Sequence, residues 1–325
     1  MKKICIYGAG AIGGWLGVRL ARAGCDVSVV ARGATLQALE QHGLQLKIAG
    51  ETLAARVRTS ASPSSLGLQD LVVIAVKSQA MPDVAMSIGP LLGPETVVLT
   101  AMNGVPWWFF ESFGGAFAGT RLKAVDPEGT IARAIPARHV VGCVVHASCS
   151  VESPGVVKHH FGNGLIVGEP AGGESPRVRE LAALLAKAGF DATVSAQIQK
   201  DSWYKLWGNM STNPVSAITG ATTDRILADD LVREFTSRVM LEAKEIGARI
   251  GVPIEQMPED RHQVTRKLGA FRTSMLQDVE AGKSVELDAI VTVVRELGQL
   301  TAVPTPFTDA LLGLARLHAR VRGLY

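Results

Sequence analysis

Six residues near the start, Gly8–Gly13 (GAGAIG), constrain this chain more than any other stretch. They follow a short apolar run, Lys3–Tyr7, and open an apolar-periodic segment, Ala11–Ala23, that Gly24 ends. In a G-x-G-x-x-G turn the first glycine permits the tight bend, the second lets the backbone approach a pyrophosphate, and the third allows close helix–strand packing. The helix N-terminus then faces the anion. The strand–turn–helix context is what gives the motif weight. Gly8, Ala9, Gly10, Ala11, Ile12 and Gly13 are therefore candidate dinucleotide-binding residues. The same stretch argues against a secretory signal: Arg19 and Arg22 interrupt it, and five of residues 8–17 are glycine.

Further apolar runs fit strands covered on both faces, as in a parallel sheet flanked by helices: Val27–Val30, Leu71–Val76 (LVVIAV) and Thr96–Thr100 (TVVLT). Val140–Val145, Val156–His160 and Leu165–Val167 read as shorter strand pieces that extend the sheet, and Thr193–Val194 as a last one. Pro176–Ala188 is an amphipathic helix candidate. From Ile198 the pattern is helical: Trp203–Met210, Asp229–Gly247, Pro258–Gly282, Ser284–Gly298 and Pro306–Arg322. The expectation is an α/β Rossmann-type N-terminal domain (residues 1–195) followed by an all-α C-terminal domain (residues 196–325) that carries substrate and catalysis.

At 325 residues, 47% hydrophobic and 19% charged, the chain has material for two packed cores and too little charge density for disorder. A net charge of +3 with no clustered basic tract argues against nucleic acid. No uncharged apolar stretch reaches the length of a membrane span. Cys5, Cys25, Cys143 and Cys149 lack zinc or C-x-x-C spacing, so free thiols in a reduced, cytoplasmic compartment are expected. His139, His146, His159 and His160 lack metal-ligand spacing; no metal is expected. There is no G-x-S-x-G or HExxH motif.

After the second strand, an NAD-preferring site carries an acidic residue that binds the ribose 2′-OH. Here the run Val29–Gly33 has no acid, and Arg32 offers a guanidinium fork to a 2′-phosphate. NADP(H) is the expected cofactor. Lys77 and Asn103 stand at the carboxyl ends of two predicted parallel strands, where open α/β sheets place their ligands; a solvated loop lysine and an Asn-Gly turn are the plainer alternatives.

Residues 203–214 (WYKLWGNMSTNP) carry the other signal. Trp203, Leu206, Trp207 and Met210 share one helical face, while Lys205, Asn209 and Asn213 recur at i, i+4 and i+8 on a second. Pro214 predicts that the helix ends or bends near Asn213. Asparagine is a mediocre helix former, so two in register need a reason. A lysine flanked by amides suits an anionic, carbonyl-bearing substrate, the lysine giving a proton or polarising the carbonyl oxygen. A solvated polar face is the alternative.

The ordered set of motifs resembles the ketopantoate reductase (2-dehydropantoate 2-reductase) family over nearly the whole length. The set comprises GxGxxG, V-K after the third strand run, N-G after the fourth, K-L-x-x-N-x-x-x-N-P, S-M-L-Q-D and V-E-L-D. The resemblance implies NADPH binding by a Rossmann domain, a helical domain that closes over it, and reduction of 2-dehydropantoate to (R)-pantoate on the way to pantothenate and coenzyme A. By motif it implies Lys205 as proton donor, Asn209 and Asn213 as substrate-contacting amides, and Ser274 as the hydroxyl that holds the substrate carboxylate. It places Glu286 near cofactor and active site, Lys77 and Asn103 beside the nicotinamide end, with Asn103 also reaching substrate, and Arg32 at the 2′-phosphate. Read from the residues alone, Ser274 lies inside a long helix and Glu286 in the first turn of the next, with Ser284 as its cap. Two features depart from the family pattern: Phe271, where an asparagine is frequent, and the aromatic run Trp107–Phe110, which either packs a core or reshapes the pocket. Three readings follow: a 2-dehydropantoate reductase, a reductase of another small 2-oxo acid, and a non-catalytic NADPH-binding redox sensor. A homodimer is compatible with the sequence but not dictated by it.

Overall fold

The short apolar runs assemble into one mixed sheet. The computed structural model describes residues 1–113 and 115–325. Its strands are β1 (Lys3–Tyr7), β2 (Asp26–Val30), β3 (Leu44–Ile48), β4 (Glu51–Ala55), β5 (Arg58–Ser60), β6 (Gln69–Ile74), β7 (Leu92–Thr100), β8 (Val140–Ser153), β9 (Val156–Gly168) and β10 (Asp191–Val194). Their order is β4-β3-β9-β8-β7-β6-β1-β2-β5, with β10 also paired to β9. β2, β1, β6, β7 and β8 run parallel, and β8 and β9 form an antiparallel hairpin. Ile4–Ile6 and Leu71–Ile74 are buried completely, as continuous apolar runs in a doubly covered sheet should be.

The helices are α1 (Ala11–Arg22), α2 (Gly33–His42), α3 (Met81–Ser87), α4 (Thr130–Ala134), α5 (Pro176–Lys187), α6 (Ile198–Thr219), α7 (Thr223–Ala228), α8 (Asp230–Arg249), α9 (Pro258–Arg266), α10 (Ser274–Glu280), α11 (Val293–Thr301) and α12 (Pro306–Val321). No helix among the described residues is long and apolar enough to cross a membrane. None of the four cysteines forms a disulfide with another described residue.

The chain divides into two units that are not consecutive lengths of sequence. Met1–Asn103, Glu111–Phe113 and Gly129–Asp201 form the sheet unit; Gly104–Phe110, residues 115–128 and Ser202–Tyr325 form the helical unit. This differs from a single cut at residue 195. The physical reason is where the aromatic run finds its partners. Trp108, Phe109 and Phe110 are buried, Phe109 lies 6.4 Å from the Trp203 ring, and Phe110 lies 5.9 Å from Phe117. Glu296 accepts the backbone N–H groups of Lys123 (2.7 Å) and Ala124 (2.8 Å), which ties that insertion down.

Several local expectations change. Pro214 does not end its helix: α6 continues to Thr219. Proline removes one ladder bond, but Ser211–Ala217 are all buried, so packing holds the helix through it. The segment 258–282 is two helices, α9 and α10, separated by residues 267–273. Thr273 caps the second by accepting the Leu276 N–H (3.2 Å), which places Ser274 in its first turn rather than mid-helix. The helix expected over 284–298 starts at Leu287, so Glu286 precedes it and Ser284 is not its cap; a π-helical turn, Asp288–Thr292, leads into α11.

Candidate active site residues in the two units

In the sheet unit the glycine turn is shaped by close backbone approach. Gly8 has φ +99 and donates its N–H to the Val30 carbonyl (3.1 Å). A Cβ on Gly13 would lie 1.9 Å from the Gly8 carbonyl oxygen, so only glycine lets α1 start so near β1. Gly10 is different: a Cβ there would meet nothing within 4 Å. Its flank is open, as a backbone that receives a pyrophosphate requires. Gly10 caps α1 with no side-chain cap bond, and the first turn (Ala11, Ile12, Gly13) holds no acid. Its uncompensated N–H groups and helix dipole favour an anion. The residues present thus fit a dinucleotide phosphate.

Arg32 follows β2 directly and caps α2. Its Nη1 lies 3.1 Å from Asp83 Oδ2, with both side chains more than half exposed. Such an exposed pair is weak, so a 2′-phosphate can compete for the guanidinium. Ala75 N–H bonds the Tyr7 carbonyl (3.0 Å) and Ala101 N–H bonds that of Ile74 (2.9 Å). These bonds hold the loops after β6 and β7 beside the glycine turn. Lys77, exposed, and Asn103, half-buried, stand on those loops. The sheet therefore brings Gly8–Gly13, Lys77 and Asn103 to one edge, where the chain leaves β1 for opposite neighbours β2 and β6. That is the topological switch point at which such sheets bind ligands.

In the helical unit, α6 is fixed by its apolar face: Trp203, Leu206, Trp207 and Met210 are buried, and Trp207 Nε1 donates to the Met240 carbonyl (2.7 Å). That fixes the stripe of Lys205, Asn209 and Asn213. Lys205 and Asn209 are half-buried, and Asn213 is only 6% exposed. Neither asparagine amide hydrogen-bonds another described residue. A buried amide without a partner is costly in a fold alone and useful for a polar ligand.

The sequence reading missed Arg261. Its guanidinium lies 5.3 Å from the centre of the Tyr204 ring and lines the space beside Gly208, where a Cβ would come within 2.6 Å of Nε. That Nε is buried without a hydrogen bond, and burial holds the group below its ordinary basicity. In sequence it looks like any arginine on a charged helix; only packing marks it.

Ser274 is exposed, and its hydroxyl makes no hydrogen bond to another described residue. Glu286 is 6% exposed. Its segment is held on both sides: Val285 N–H donates to the Leu324 carbonyl (3.0 Å), and Tyr325 O–H donates to Asp288 Oδ1 (2.8 Å). The π-helical turn leaves the Ala289 carbonyl to accept the Val105 N–H (2.8 Å), while Gly104, at φ +86, packs where a Cβ would be 2.3 Å from that oxygen. The backbone just after Asn103 is thereby locked to the turn that follows Glu286, a use of π-turns common near functional residues.

Comparison with known proteins agrees with both units. Residues 4–172 match the ketopantoate reductase PanE/ApbA family, and residues 197–319 match its C-terminal domain. The chain is 46% identical over 324 residues to 2-dehydropantoate 2-reductase of Mesorhizobium japonicum (strain LMG 29417 / CECT 9101 / MAFF 303099), covering 99% of each. It superimposes on the crystal structure of a candidate ketopantoate reductase from Ralstonia solanacearum MolK2 with a TM-score of 0.96 at 58% identity, over 100% of both chains. D-mandelate dehydrogenase bound to NADH and anilino(oxo)acetate shares the fold at 20% identity and a TM-score of 0.86, over 100% of both chains. With both of its units matched in order along the chain, this protein belongs to the ketopantoate reductase PanE/ApbA family.

Proposed function

We propose that this chain reduces 2-dehydropantoate to (R)-pantoate with NADPH, in the cytoplasm, as a step of pantothenate synthesis. The observation that carries the reading is the α6 stripe: a lysine followed at helical spacing by two amides with no hydrogen-bond partner among the described residues, one of them buried.

Gly8–Gly13 would receive the pyrophosphate at the open flank of Gly10, and Arg32 would hold the 2′-phosphate by a charge-assisted fork. Lys77 and Asn103, at adjacent strand ends, would border the nicotinamide. NADPH when bound supplies the hydride. Lys205 delivers a proton from Nζ to the substrate oxygen as its charge develops. Asn209 and Asn213 hold substrate oxygens, Asn103 assists them, and the Ser274 hydroxyl binds the carboxylate. Glu286, held in place through Val285 and Asp288, orders the polar surroundings of cofactor and substrate.

A second reading, reduction of another small 2-oxo acid, is favoured by one feature: Phe271 places an aromatic ring where the family frequently has an amide. Its backbone is pinned, the carbonyl accepting the Thr223 N–H (3.0 Å). The test is oxidation of NADPH followed by absorbance with 2-dehydropantoate beside a panel of 2-oxo acids. The proposal expects the highest kcat/KM on 2-dehydropantoate. Preference for another acid moves the assignment to the second reading. Tight NADPH binding without turnover of any acid would leave only the sensor reading.

A further inference from the structure

We propose that Arg261 binds the carboxylate of the 2-oxo acid substrate and so makes the site select a charged acid over an uncharged carbonyl compound. The inference rests on the reductase reading and adds a recognition residue to it. Arg261 stands on α9, and its side chain reaches α6, the helix that carries Lys205 and the two amides. A Cβ on Gly208 would lie 2.6 Å from its Nε, 2.9 Å from Nη2 and 3.1 Å from Cζ. The guanidinium thus fills the space that the missing side chain leaves. The Tyr204 ring, one turn earlier on α6, flanks it with its centre 5.3 Å from Cζ.

The charge has no counterpart in the fold. Arginine stays protonated at any working pH, and burial opposes that charge here. Among the described residues no carboxylate pairs with it, and the attraction that it feels comes from Tyr204. Nε is enclosed without a hydrogen bond. Other arginines of this unit are provided for: Arg266 on α9 pairs with Glu259, and Arg233, Arg238 and Arg249 on α8 each find a carbonyl or a carboxylate. A cation without a counter-charge in such a place is costly to the fold and useful to an anion that arrives. The residue as a whole is half-buried, so a ligand can reach it while water screens it only in part.

The position relative to Lys205 makes that anion the substrate carboxylate. Gly208 follows Lys205 by three residues, so the two are neighbours on the α6 surface, with about 5–6 Å between Cβ positions. The guanidinium that occupies the Gly208 Cβ position is therefore held beside the stem of Lys205. A 2-oxo acid carries its carbonyl and its carboxylate on adjacent carbons, and two cations side by side match that pair. Their roles differ. Lys205 gives up a proton and with it its charge, and Asn209, Asn213 and Ser274 are neutral. The Ser274 hydroxyl can hydrogen-bond a carboxylate but not neutralise it. Arg261 keeps its charge throughout, and its planar fork fits a carboxylate through two parallel N–H···O bonds.

The test compares kcat/KM in NADPH oxidation for the best 2-oxo acid of the panel and for its uncharged methyl ester. Wild type is expected to prefer the acid. Arg261→Met, which keeps the length of the apolar stem, should lower that preference about a hundredfold, mainly through KM for the acid. Its thermal melt should not fall, because no protein carboxylate loses a partner. An arginine that merely fills the notch beside Gly208 predicts the opposite: a lower melt and equal losses on acid and ester. Should Arg261→Met fail to fold, Gly208→Ala decides, since its Cβ displaces the guanidinium while favouring the helix; it should lower the same preference. A wild type without preference, an unchanged preference in the deciding variant, or equal losses on both substrates would overturn the proposal. A wild type that reduces no 2-oxo acid refutes the reductase reading instead. Arg261 is then judged by calorimetric titration with oxamate, which should bind wild type and not Arg261→Met; equal binding to both, or binding to neither, overturns the carboxylate role.

Discussion

The sheet unit and the helical unit make their candidate functional surfaces from different material. In the sheet unit the proposed cofactor turn is backbone: Gly8 bends, Gly13 lets two segments touch, and Gly10 leaves a flank open. In the helical unit the surface is side chain: a lysine and two amides ride one helix whose other face is clamped by two tryptophans and the Met240 carbonyl. The difference teaches what each kind of site tolerates. A backbone site fails when any side chain is added, whereas a side-chain site keeps its fold and loses its chemistry.

The largest expected effect is on the side-chain side of that comparison. Lys205→Ala should lower kcat about 10²–10⁴-fold, the usual worth of a positioned proton donor, with NADPH affinity in fluorescence titration close to wild type. An equal loss of cofactor affinity would break the separation of roles. On the backbone side the two glycines should part company. Gly13→Ala forces a Cβ against the Gly8 carbonyl and should cost about 3 kcal/mol of stability in denaturant titration. Gly10→Ala meets no protein atom and has an extended conformation any residue adopts (φ −73, ψ −164), so its melt should be unchanged. Its NADPH affinity should nevertheless fall about a hundredfold, roughly 2.7 kcal/mol. A destabilised Gly10→Ala would mean that this flank serves packing rather than ligand.

Arg32→Ala sharpens the comparison from within the sheet unit, because it is a side-chain contact on a backbone site. It should weaken NADPH about tenfold, roughly 1.4 kcal/mol, and leave NADH unaffected. The smallest effect concerns the helical unit's stability. His262 is 2% exposed with Nε2 2.9 Å from Ser237 Oγ. Burial, with help from Arg266 and Arg233 and against the pull of Glu259, holds it below the ordinary histidine value of 6.5. Its folded form is therefore neutral where the unfolded chain takes up a proton. The sign follows: its contribution is present above pH 6.5 and is lost as pH falls below it. The melting temperature should drop on mild acidification, and His262→Gln should flatten that drop.

How much could be read beforehand varied with the physical origin of each element. The doubly buried strands β1, β2, β6 and β7 announce themselves as apolar runs. β3 and β4 do not: Leu44 and Leu46 are buried but alternate with polar residues, and the Ala49–Gly50 turn that joins the two strands has both φ values positive, +50 and +83. Alanine is unusual at such a primed turn, so the common Asn-Gly signal is missing. β8 and β9 read as fragments because register shifts at His146–Cys149 and Val151–Ser153 break their alternation. The α6 stripe was legible because helical spacing is local. Ser274 and Glu286 were misplaced because the break at residues 267–273 and the π-helical turn depend on packing. Arg261 acquires meaning only from what surrounds it.

By itself the sequence determined the glycine turn between β1 and α1, the absence of an acid after β2, the polar stripe on α6 and the change from strands to helices, because each is a short-range demand of backbone geometry or periodicity. Tertiary structure alone decided that the stretch after Asn103 leaves the sheet unit for the helical one. It also carried α6 through Pro214 and set Glu286 before a π-helical turn. These outcomes rest on which distant surfaces bury one another, and no local pattern encodes that.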